Sequence, residues 1–512
     1  MLERSLNIIQ QSEDKTNKRS ALGELRKIIS QTETSGLGDI YTRISKSLHL
    51  CFQDRFELCR EQSILITTDM LNTLEPDPKY LISLIPALQR RIVCEASQEP
   101  SEEIRLLLVK LLHVIIEKYD NLVTPFTNDI IEMLAATIAD SAPVVKKESC
   151  SCAIALSKVP SQAFYTCSPK LIKPLVDTAG HQHWRVRCIV VETIGSVIQN
   201  GDNKCIPDVT TPLAKRLFDD SFHVRMAVTR VVGNWMISLP DRYSFFPVLL
   251  PLILTSLTDE NDDIVKETEF LWTTAGKQYL NENEKDFKDR IDYISDIMEH
   301  YPPNVTRPHL GCRILVEREG GKFLLALGRE ICDWVASVRI KSAQLLTQVV
   351  LHAEASITQQ VHKIIGPMCK AATDEEPPVV QNVILAAEYI GYFVPASVHC
   401  KLIIETMGEA NYGQLRVVSG LVRGSKKDEL VEHLTAVGRL LGHSTFEAEE
   451  QIAMLNLIES VFFVCGQDSL VIGEDIFLSI ISVAGMATAQ EILEMALGNL
   501  IQSLLLFTKF VK

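Results

Sequence analysis

The sequence has few aromatic residues and no long uninterrupted apolar segment. Aromatic residues make up 6% of its 512 residues, whereas hydrophobic residues make up 46% and are mainly Leu, Ile, Val and Ala. This composition favours packed helices over a β-sandwich. The longest apolar run, FFPVLLPLILTSL, holds two prolines within 13 residues. A membrane-spanning helix needs about 20 residues, so we predict that the chain does not cross a membrane.

The sequence also lacks an excess of basic residues. Its net charge of −14 argues against binding to nucleic acid or to an anionic membrane, since both need a basic face. The 13 cysteines are an odd number and are scattered along the chain, which indicates reduced thiols in a reducing compartment. The first residues, MLERSLNIIQQSEDK, lack the basic flank and apolar centre of a signal peptide. We therefore expect a cytoplasmic protein.

Familiar catalytic and metal-binding motifs are missing as well. The sequence contains no Walker loop, Gly-x-Ser-x-Gly, His-Glu-x-x-His, EF-hand or Cys-x-x-Cys motif. His181 and His183 form a His-x-His pair beside Trp184, but no third ligand is close in sequence, so we interpret them as a solvated turn. His113 and His352 lie on helix-like runs and are interpreted as partly buried structural residues. We predict no catalytic residue, metal ion or cofactor.

What the sequence does contain is a repeated spacing of acidic and basic residues. Three times an acidic residue precedes a basic one by six positions, just ahead of a helix-like run: Asp140 and Lys146, Asp219 and Arg225, and Asp333 and Arg339. The basic positions belong to a longer series at intervals of 38 to 45 residues: Arg60, Arg105, Lys146, Arg187, Arg225 and Lys266. Prolines recur with intervals of 38 and 39 residues: Pro174, Pro212 and Pro251. Such a period is typical of helix-pair arrays of the HEAT or armadillo type.

The local pattern supports helices within each repeat. In VRCIVVETIGSVIQ, apolar residues recur at three- and four-residue spacing. We therefore predict an all-α fold, a HEAT-repeat α-solenoid in which antiparallel helix pairs stack into a superhelix. The first helix of each pair lies near the proline, and the second begins at the Val-Arg element. WD40 propellers share the period but need glycine-rich turns and alternating strands, which this sequence lacks.

We interpret the acid–base pairs as a structural ladder along the turns. An acid in the turn can accept backbone N–H groups and oppose the positive end of the second helix dipole. Each base is predicted to bridge its own acid and that of the next repeat, which sets the stagger. Exposed pairs contribute only about 0–1 kcal/mol, so Arg225→Ala is predicted to destabilise modestly. The ladder comprises Asp140, Lys146, Arg187, Asp219, Arg225, Lys266, Asp333 and Arg339.

The interval between Lys266 and Arg339 is nearly double the period, at 73 residues. It contains an acidic segment followed by Pro302, Pro303 and Pro308, and prolines end helices. We predict an N-terminal HEAT array over residues 1–280, an acidic and proline-rich insertion or linker over 281–321, and a C-terminal array over 322–512. The last run, NLIQSLLLFTKFVK, lacks the polar outer face expected of a terminal repeat, so the C-terminal array is predicted to be truncated or covered.

Trp184 is the residue that we select as a candidate for contact with a partner. An aromatic side chain at a repeat's turn lies on the edge of the array, where a partner could bind it. Packing of Trp184 against the next repeat is the alternative interpretation.

Several segments together resemble the HEAT-repeat dynein axonemal assembly factors. They occur in the same order over roughly residues 55 to 400 and include HQHWRVR, RLFDDSFHVRMAVTRVVGNW, DRYSFFPVLLPLILTSLTDE and HYPPNVTRPHLGCRILV. The resemblance implies a cytoplasmic, non-enzymatic scaffold or co-chaperone for preassembly of the axonemal dynein arms of motile cilia. It also implies partners, namely axonemal dynein heavy and intermediate chains, other dynein assembly factors and heat-shock chaperones. It provides no catalytic or binding residues to transfer.

Other functions remain open at this stage. Tubulin-binding TOG domains are also short HEAT arrays with aromatic residues at their turns, and a basic edge would suit acidic tubulin. Here the edge holds Lys146, Arg185 and Arg187, but also Asp219 and Asp220. A transport receptor or a phosphatase-type HEAT scaffold is a further alternative. An enzyme is the alternative that the missing motifs favour least.

Overall fold

The structure is a computed structural model that describes residues 2–94, 98–292, 299–406, 411–441 and 447–508. Every regular element within these ranges is helical, which confirms the predicted all-α fold. The chain divides into two compact units, unit 1 from Met1 to Pro240 and unit 2 from Asp241 to Lys512.

Unit 1 is built from pairs of helices in two layers. Its helices are α1 Leu2–Gln11, α2 Lys15–Gln31, α3 Thr34–Cys51, α4 Glu57–Thr73, α5 Leu81–Ile92, α6 Glu102–Tyr119, α7 Thr127–Ile138, α8 Pro143–Ser157, α9 Gln162–Cys167, α10 Pro169–Thr178, α11 Trp184–Asn200, α12 Ile206–Arg216 and α13 Phe222–Ser238. The first layer packs in the order α3, α5, α7, α10 and α12, and the second in the order α4, α6, α8, α11 and α13.

The second layer forms because its helices are apolar on two sides. In α11, the buried residues Val186, Val190, Ile194 and Val197 recur at three- and four-residue intervals, which places them on faces covered by α8 and α13. A Cβ atom on Gly195 would lie 2.5 Å from Val231 Cγ2, so glycine allows α11 and α13 to pack closely at this point.

Unit 2 continues with the same kind of helix pairs. Its helices are α14 Arg242–Ser256, α15 Asp262–Glu282, α16 Lys288–Asp292, α17 Leu310–Glu319, α18 Leu324–Glu330, α19 Ala336–Ala353, α20 Ile365–Ala371, α21 Pro377–Phe393, α22 Ala396–Thr406, α23 Tyr412–Gly424, α24 Lys427–Val431, α25 Leu434–Leu441, α26 Ala448–Cys465, α27 Gly473–Met486 and α28 Gln490–Thr508. Its second layer packs in the order α15, α17, α19, α21, α23, α26 and α28.

Part of the predicted insertion at 281–321 belongs to this stack. Helix α17 packs between α15 and α19 and buries Leu310, Ile314 and Leu315. It therefore accounts for the doubled interval in the ladder, since a second-layer helix lies inside it. The contacts divide the chain at Pro240, and the predicted division into an N-terminal array, an insertion or linker and a C-terminal array, with boundaries at 280 and 322, stays a prediction.

One helical stretch in the described residues, Ala448–Met486, is long and apolar enough to cross a membrane by length and composition. It comprises α26 and α27 and changes direction at Gly466, whose φ is +53°. Leu455 and Ile458 of α26 are fully buried, and α26 packs against α23 and α28. Packing within unit 2 therefore accounts for these positions of α26, whereas 33% of the most apolar window is buried and Phe463 and Leu478 are exposed.

Three buried histidines are held in the neutral form: His49, His352 and His399. In each of them burial lowers the pKa to about 4. His352 Nε2 accepts a hydrogen bond from the indole N–H of Trp272 at 3.1 Å, and its Nδ1 donates to the carbonyl of Gln348 at 2.7 Å. The predicted structural role of His352 is thus confirmed, and its tautomer follows from its partners.

Acidification is expected to destabilise the protein well before its carboxylates titrate. The unfolded chain binds a proton at His352 near pH 6.5 and the folded chain only near pH 4. Stability from this residue is therefore complete above about pH 6.5 and is lost progressively as the pH falls towards 4. Urea unfolding midpoints measured across this range check the expectation. His352→Gln should flatten the dependence, and an unchanged slope in that variant would contradict the assignment.

Candidate protein-binding surface

An arginine clamp joins the turns of neighbouring repeats. Arg187, the fourth residue of α11, donates from Nε and Nη2 to the two carboxylate oxygens of Asp219 at 2.6 and 2.7 Å. Its Nη1 donates to the carbonyls of His181 and Gln182 in its own turn, at 2.8 and 3.0 Å. The same turn clamp occurs in the pairs Arg60 and Glu99, Arg105 and Asp140, and Arg339 and Asp374.

The acid of each clamp also caps a helix start. Asp219 Oδ1 accepts the backbone N–H of Ser221 at 3.0 Å, just ahead of α13. Burial alone would raise the pKa of Asp219, but the Arg187 guanidinium and this N–H outweigh it and hold the pKa below its usual value. The carboxylate therefore stays charged and keeps both bonds of the clamp.

The clamp differs from the predicted bridge in two ways. Each arginine reaches the acid of the next repeat as predicted, but it contacts its own turn through carbonyls and not through its own acid. The pairs are also buried: the side chains of Arg187 and Asp219 are 13% and 2% exposed. The expectation that the pairs are exposed is therefore wrong. We expect removal of one partner from a buried ion pair to cost more than removal from an exposed one.

The other predicted ladder residues take several roles. Asp140 accepts from Arg105 and from the N–H of Ala142, and Asp333 accepts the N–H of Val335. Arg225 is buried and donates to the carbonyl of Asp219 at 2.8 Å. The predicted ladder position of Lys266 has to be corrected. Lys266 is the fifth residue of α15 and is exposed, so it does not occupy the buried clamp position.

In two turns that lack the acid–base spacing, a histidine occupies the position of the acid. His181 Nδ1 accepts the N–H of His183 at 3.0 Å, as Asp219 does for Ser221. The base one repeat earlier is Lys146, which is buried and donates to the carbonyl of Ile138 at 3.2 Å. Burial lowers the pKa of His181, and Lys146 lowers it further. This turn thus pairs a cation with a neutral ring.

The second such turn lies in the doubled interval. His309 Nδ1 accepts the N–H of Gly311 at 3.1 Å at the start of α17. Arg313, the fourth residue of α17, is buried and donates to Glu354 at 2.9 Å and to the carbonyl of Pro308 at 3.0 Å. Arg313 therefore joins the start of α17 to the end of α19, where Glu354 is the C-cap residue. It differs from the turn clamp in this respect, and neither an acid in its own turn nor a preceding valine marks it in the sequence.

Removing one clamp arginine should destabilise unit 1 strongly. Arg187→Ala leaves the buried carboxylate of Asp219 without its bidentate partner and is expected to cost about 3–5 kcal/mol. Arg185→Ala is the matched control, because Arg185 is exposed and its guanidinium lies over the Trp184 ring at 4.8 Å, an interaction of about 0.5–1 kcal/mol. Hydrogen exchange in α11 and α13 measures both losses. Equal losses in the two variants would contradict the structural role of the clamp.

A groove runs along the surface between α11 and α13. Its volume is about 530 Å³. Buried Val231 and Trp235 contribute to its floor, and exposed Glu192, Asn200 and Asn234 contribute to its walls. Apolar anchor positions surrounded by polar side chains are typical of surfaces that bind polypeptide segments.

Trp184 lines one end of this groove. Its ring stacks on His223 of the next repeat, with centroids 4.6 Å apart and an angle of 10° between the planes. The side chain is half-buried, so it packs against the neighbouring repeat and also lines the groove. A role for Trp184 in partner binding stays a prediction.

Trp334 is an exposed turn aromatic that the sequence analysis did not select. It lies between α18 and α19 and is 89% exposed, while its carbonyl accepts from Arg339 at 3.2 Å. Both tryptophans sit at repeat turns in the sequence. Only the packing distinguishes them, because Trp184 has His223 beside it and Trp334 projects into solvent.

Two family models match most of the chain. The family described as dynein axonemal assembly factor 5-like, TPR repeats, matches residues 9–290, and the HEAT-repeat domain of dynein axonemal assembly factor 5 matches residues 299–487. The chain belongs to the dynein axonemal assembly factor 5 family. The resemblance inferred from the sequence is thereby confirmed.

Individual relatives cover most of this chain. Proteins named dynein axonemal assembly factor 5 from Xenopus laevis and Homo sapiens are 38% and 36% identical to it, over 91% and 93% of this chain. The Drosophila melanogaster protein of that name is 31% identical over 74% of this chain. The matches span 56%, 58% and 46% of these relatives, so the chain corresponds to about half of their length.

The family descriptions use two names for the repeats. TPR repeats have a period of about 34 residues, whereas HEAT and armadillo repeats have about 40–47. Between Arg105 and Lys266 the intervals are 38 to 41 residues, which is closer to the HEAT period. A designed armadillo repeat protein gives a TM-score of 0.33 at 16% identity, over 45% of this chain and 98% of its own.

Proposed function

We propose that this member of the dynein axonemal assembly factor 5 family is a non-enzymatic scaffold that binds axonemal dynein polypeptides while dynein arms are assembled. The names of its relatives support the dynein assembly role. The groove between α11 and α13 is the observation that carries the proposal, because it offers a surface for a polypeptide segment.

Binding would follow from the construction of the groove. Trp235 lies beneath the groove and is buried, and its indole N–H donates to the carbonyl of Gly195 at 3.1 Å. It therefore fixes the base of the groove, whereas half-buried Trp184 offers apolar contact area. Exposed Glu192 and Asn234 at the sides can hydrogen-bond to a bound backbone. Rigid aromatic anchors and polar walls allow reversible binding without chemical turnover.

The proposal extends to the setting and the partners. The chain would act in the cytoplasm as a co-chaperone for dynein arms of motile cilia before the arms reach the axoneme. Axonemal dynein heavy and intermediate chains would be its clients. It would act together with other dynein assembly factors and heat-shock chaperones. Unassembled dynein subunits expose apolar surface that is buried later, and such surface suits the apolar base of the groove.

Blocking the groove should reduce client binding without unfolding the protein. Asn234→Arg places a long charged side chain at an exposed groove position and should lower the recovery of dynein heavy and intermediate chains several-fold in affinity purification from ciliating cells. Lys173→Ala is the control, since Lys173 is exposed on the first-layer helix α10. Mass spectrometry of the bound proteins measures both variants.

Two outcomes would contradict this function. If the wild-type protein recovers no dynein chain above background, the dynein role is contradicted. Recovery of nuclear-pore proteins or phosphatase subunits would favour a transport receptor or a phosphatase-type scaffold. Equal recovery of dynein chains with wild type and Asn234→Arg would support the dynein role but would show that the chains bind outside the groove.

Tubulin binding is the second candidate, and exposed Trp334 is the observation that favours it. Acidic residues lie near this turn. Asp374 forms an ion pair with Arg339, and Glu375 interacts electrostatically with the same arginine. Because tubulin is acidic, we expect no pelleting with microtubules at low salt. Pelleting that Trp334→Ala abolishes would instead establish the tubulin-binding function.

A further inference from the structure

Two neighbouring second-layer helices of unit 1 bring metal-ligating side chains together. His113 and Glu117 are four residues apart on α6, and Glu148 and Cys152 are four residues apart on α8. Residues at that spacing lie on one face of a helix. Because α6 and α8 pack directly against each other, the two pairs meet between adjacent repeats.

The donor atoms are close enough to share one ion. A nitrogen of His113, a carboxylate oxygen of Glu148 and the sulfur of Cys152 all lie within 4.8 Å of one another. His113 Nδ1 is 2.7 Å from Glu148 Oε1. The other ring nitrogen, Nε2, is 3.5 Å from Glu117 Oε1, so the imidazole has a carboxylate at each nitrogen.

This donor set matches the preferences of zinc. Zinc binds histidine nitrogen, carboxylate oxygen and cysteine sulfur at about 2.0–2.3 Å in tetrahedral geometry. Neighbouring ligand atoms in such a site are roughly 3.3–3.7 Å apart. The distance from Nδ1 to Oε1 therefore has to widen by roughly 0.6 Å. Rotation of the Glu148 side chain can supply this, since that side chain is 26% exposed.

The remaining contacts resemble those that surround bound zinc in proteins. A histidine ligand usually donates its second ring N–H to a carboxylate, which fixes the orientation of the ring. Glu117 occupies that position, and its side chain is 67% exposed. Cys152 lies at the buried end, where its thiol donates to the carbonyl of Val109 at 3.5 Å, a bond that is given up when the thiol loses its proton to bind the ion. The cluster is thus anchored inside and accessible from solvent.

We propose that His113 Nδ1, Glu148 and Cys152 bind one zinc ion between adjacent repeats, with Glu117 orienting His113 through Nε2. Water takes the fourth position, and binding releases the thiol proton of Cys152. The carboxylate and the thiolate neutralise the two charges of the ion. The ion would link α6 to α8 and so restrict sliding between two repeats.

From the sequence alone we predict no metal site, because this one has no motif. His113 and Glu148 are 35 residues apart, and either helical pair alone is too common to indicate a metal. The proposal rests on contacts inside unit 1 and is independent of the dynein function.

Cobalt(II) is the probe that tests the site, because thiolate coordination gives it a charge-transfer absorption and tetrahedral geometry gives it intense visible bands. Wild-type protein, purified reduced and free of metal, should bind one equivalent with these signals, and zinc(II) should displace the cobalt. Cys152→Ser should abolish the charge-transfer band. Glu148→Gln and His113→Asn should each weaken zinc binding by more than the 10–100-fold that loss of an orienting residue causes.

Cys150→Ser is the matched control, since Cys150 is buried two residues away on the same helix but is not one of the clustered ligands. It should retain the cobalt spectrum and the affinity for zinc. Circular dichroism checks that each variant remains folded. A cobalt spectrum without thiolate absorption, or one that persists unchanged in both Cys152→Ser and Glu148→Gln, would overturn the proposal.

Discussion

Each second-layer helix in unit 1 has to bury two flanks, one against the preceding repeat and one against the next. Helix α8, for example, packs against α6 on one side and α11 on the other. A single helix pair cannot cover both flanks, so the repeats depend on their neighbours. This constraint also sets the turns side by side, close enough for the arginine of one turn to reach the acid of the next.

The turn clamp fixes the register between neighbouring repeats. A guanidinium group is planar and can donate to a carboxylate and to two carbonyls at once, as Arg187 does with Asp219 and with its own turn. Apolar packing tolerates small shifts along a helix, whereas a bidentate bond does not. The cluster around His113 lies between the same kinds of helices, farther from the turns, and would act on the register in the same way.

The same packing leaves a part of each second-layer helix uncovered. Between α11 and α13 that part is the groove, whose base is Trp235 and whose end is Trp184. Close approach of the two helices at Gly195 buries Trp235 against a backbone carbonyl, so a rigid aromatic ring lies beneath polar walls. This uncovered face is the surface on which we propose that polypeptide segments bind.

The amino-acid sequence by itself determined the helix pairs and their period, because both follow from local spacing: apolar residues every three or four positions and an Arg or Lys near the start of several second helices. It also identified the family through segments such as DRYSFF. Tertiary structure decided which residues meet across repeats. Arg313 forms a buried ion pair with Glu354 at the end of α19 without the motif, Lys266 has the motif context without the clamp position, and His181 occupies the place of an acid. The groove and the His113 cluster were likewise decided by packing, since each combines side chains of two second-layer helices that only the stacking of repeats brings together.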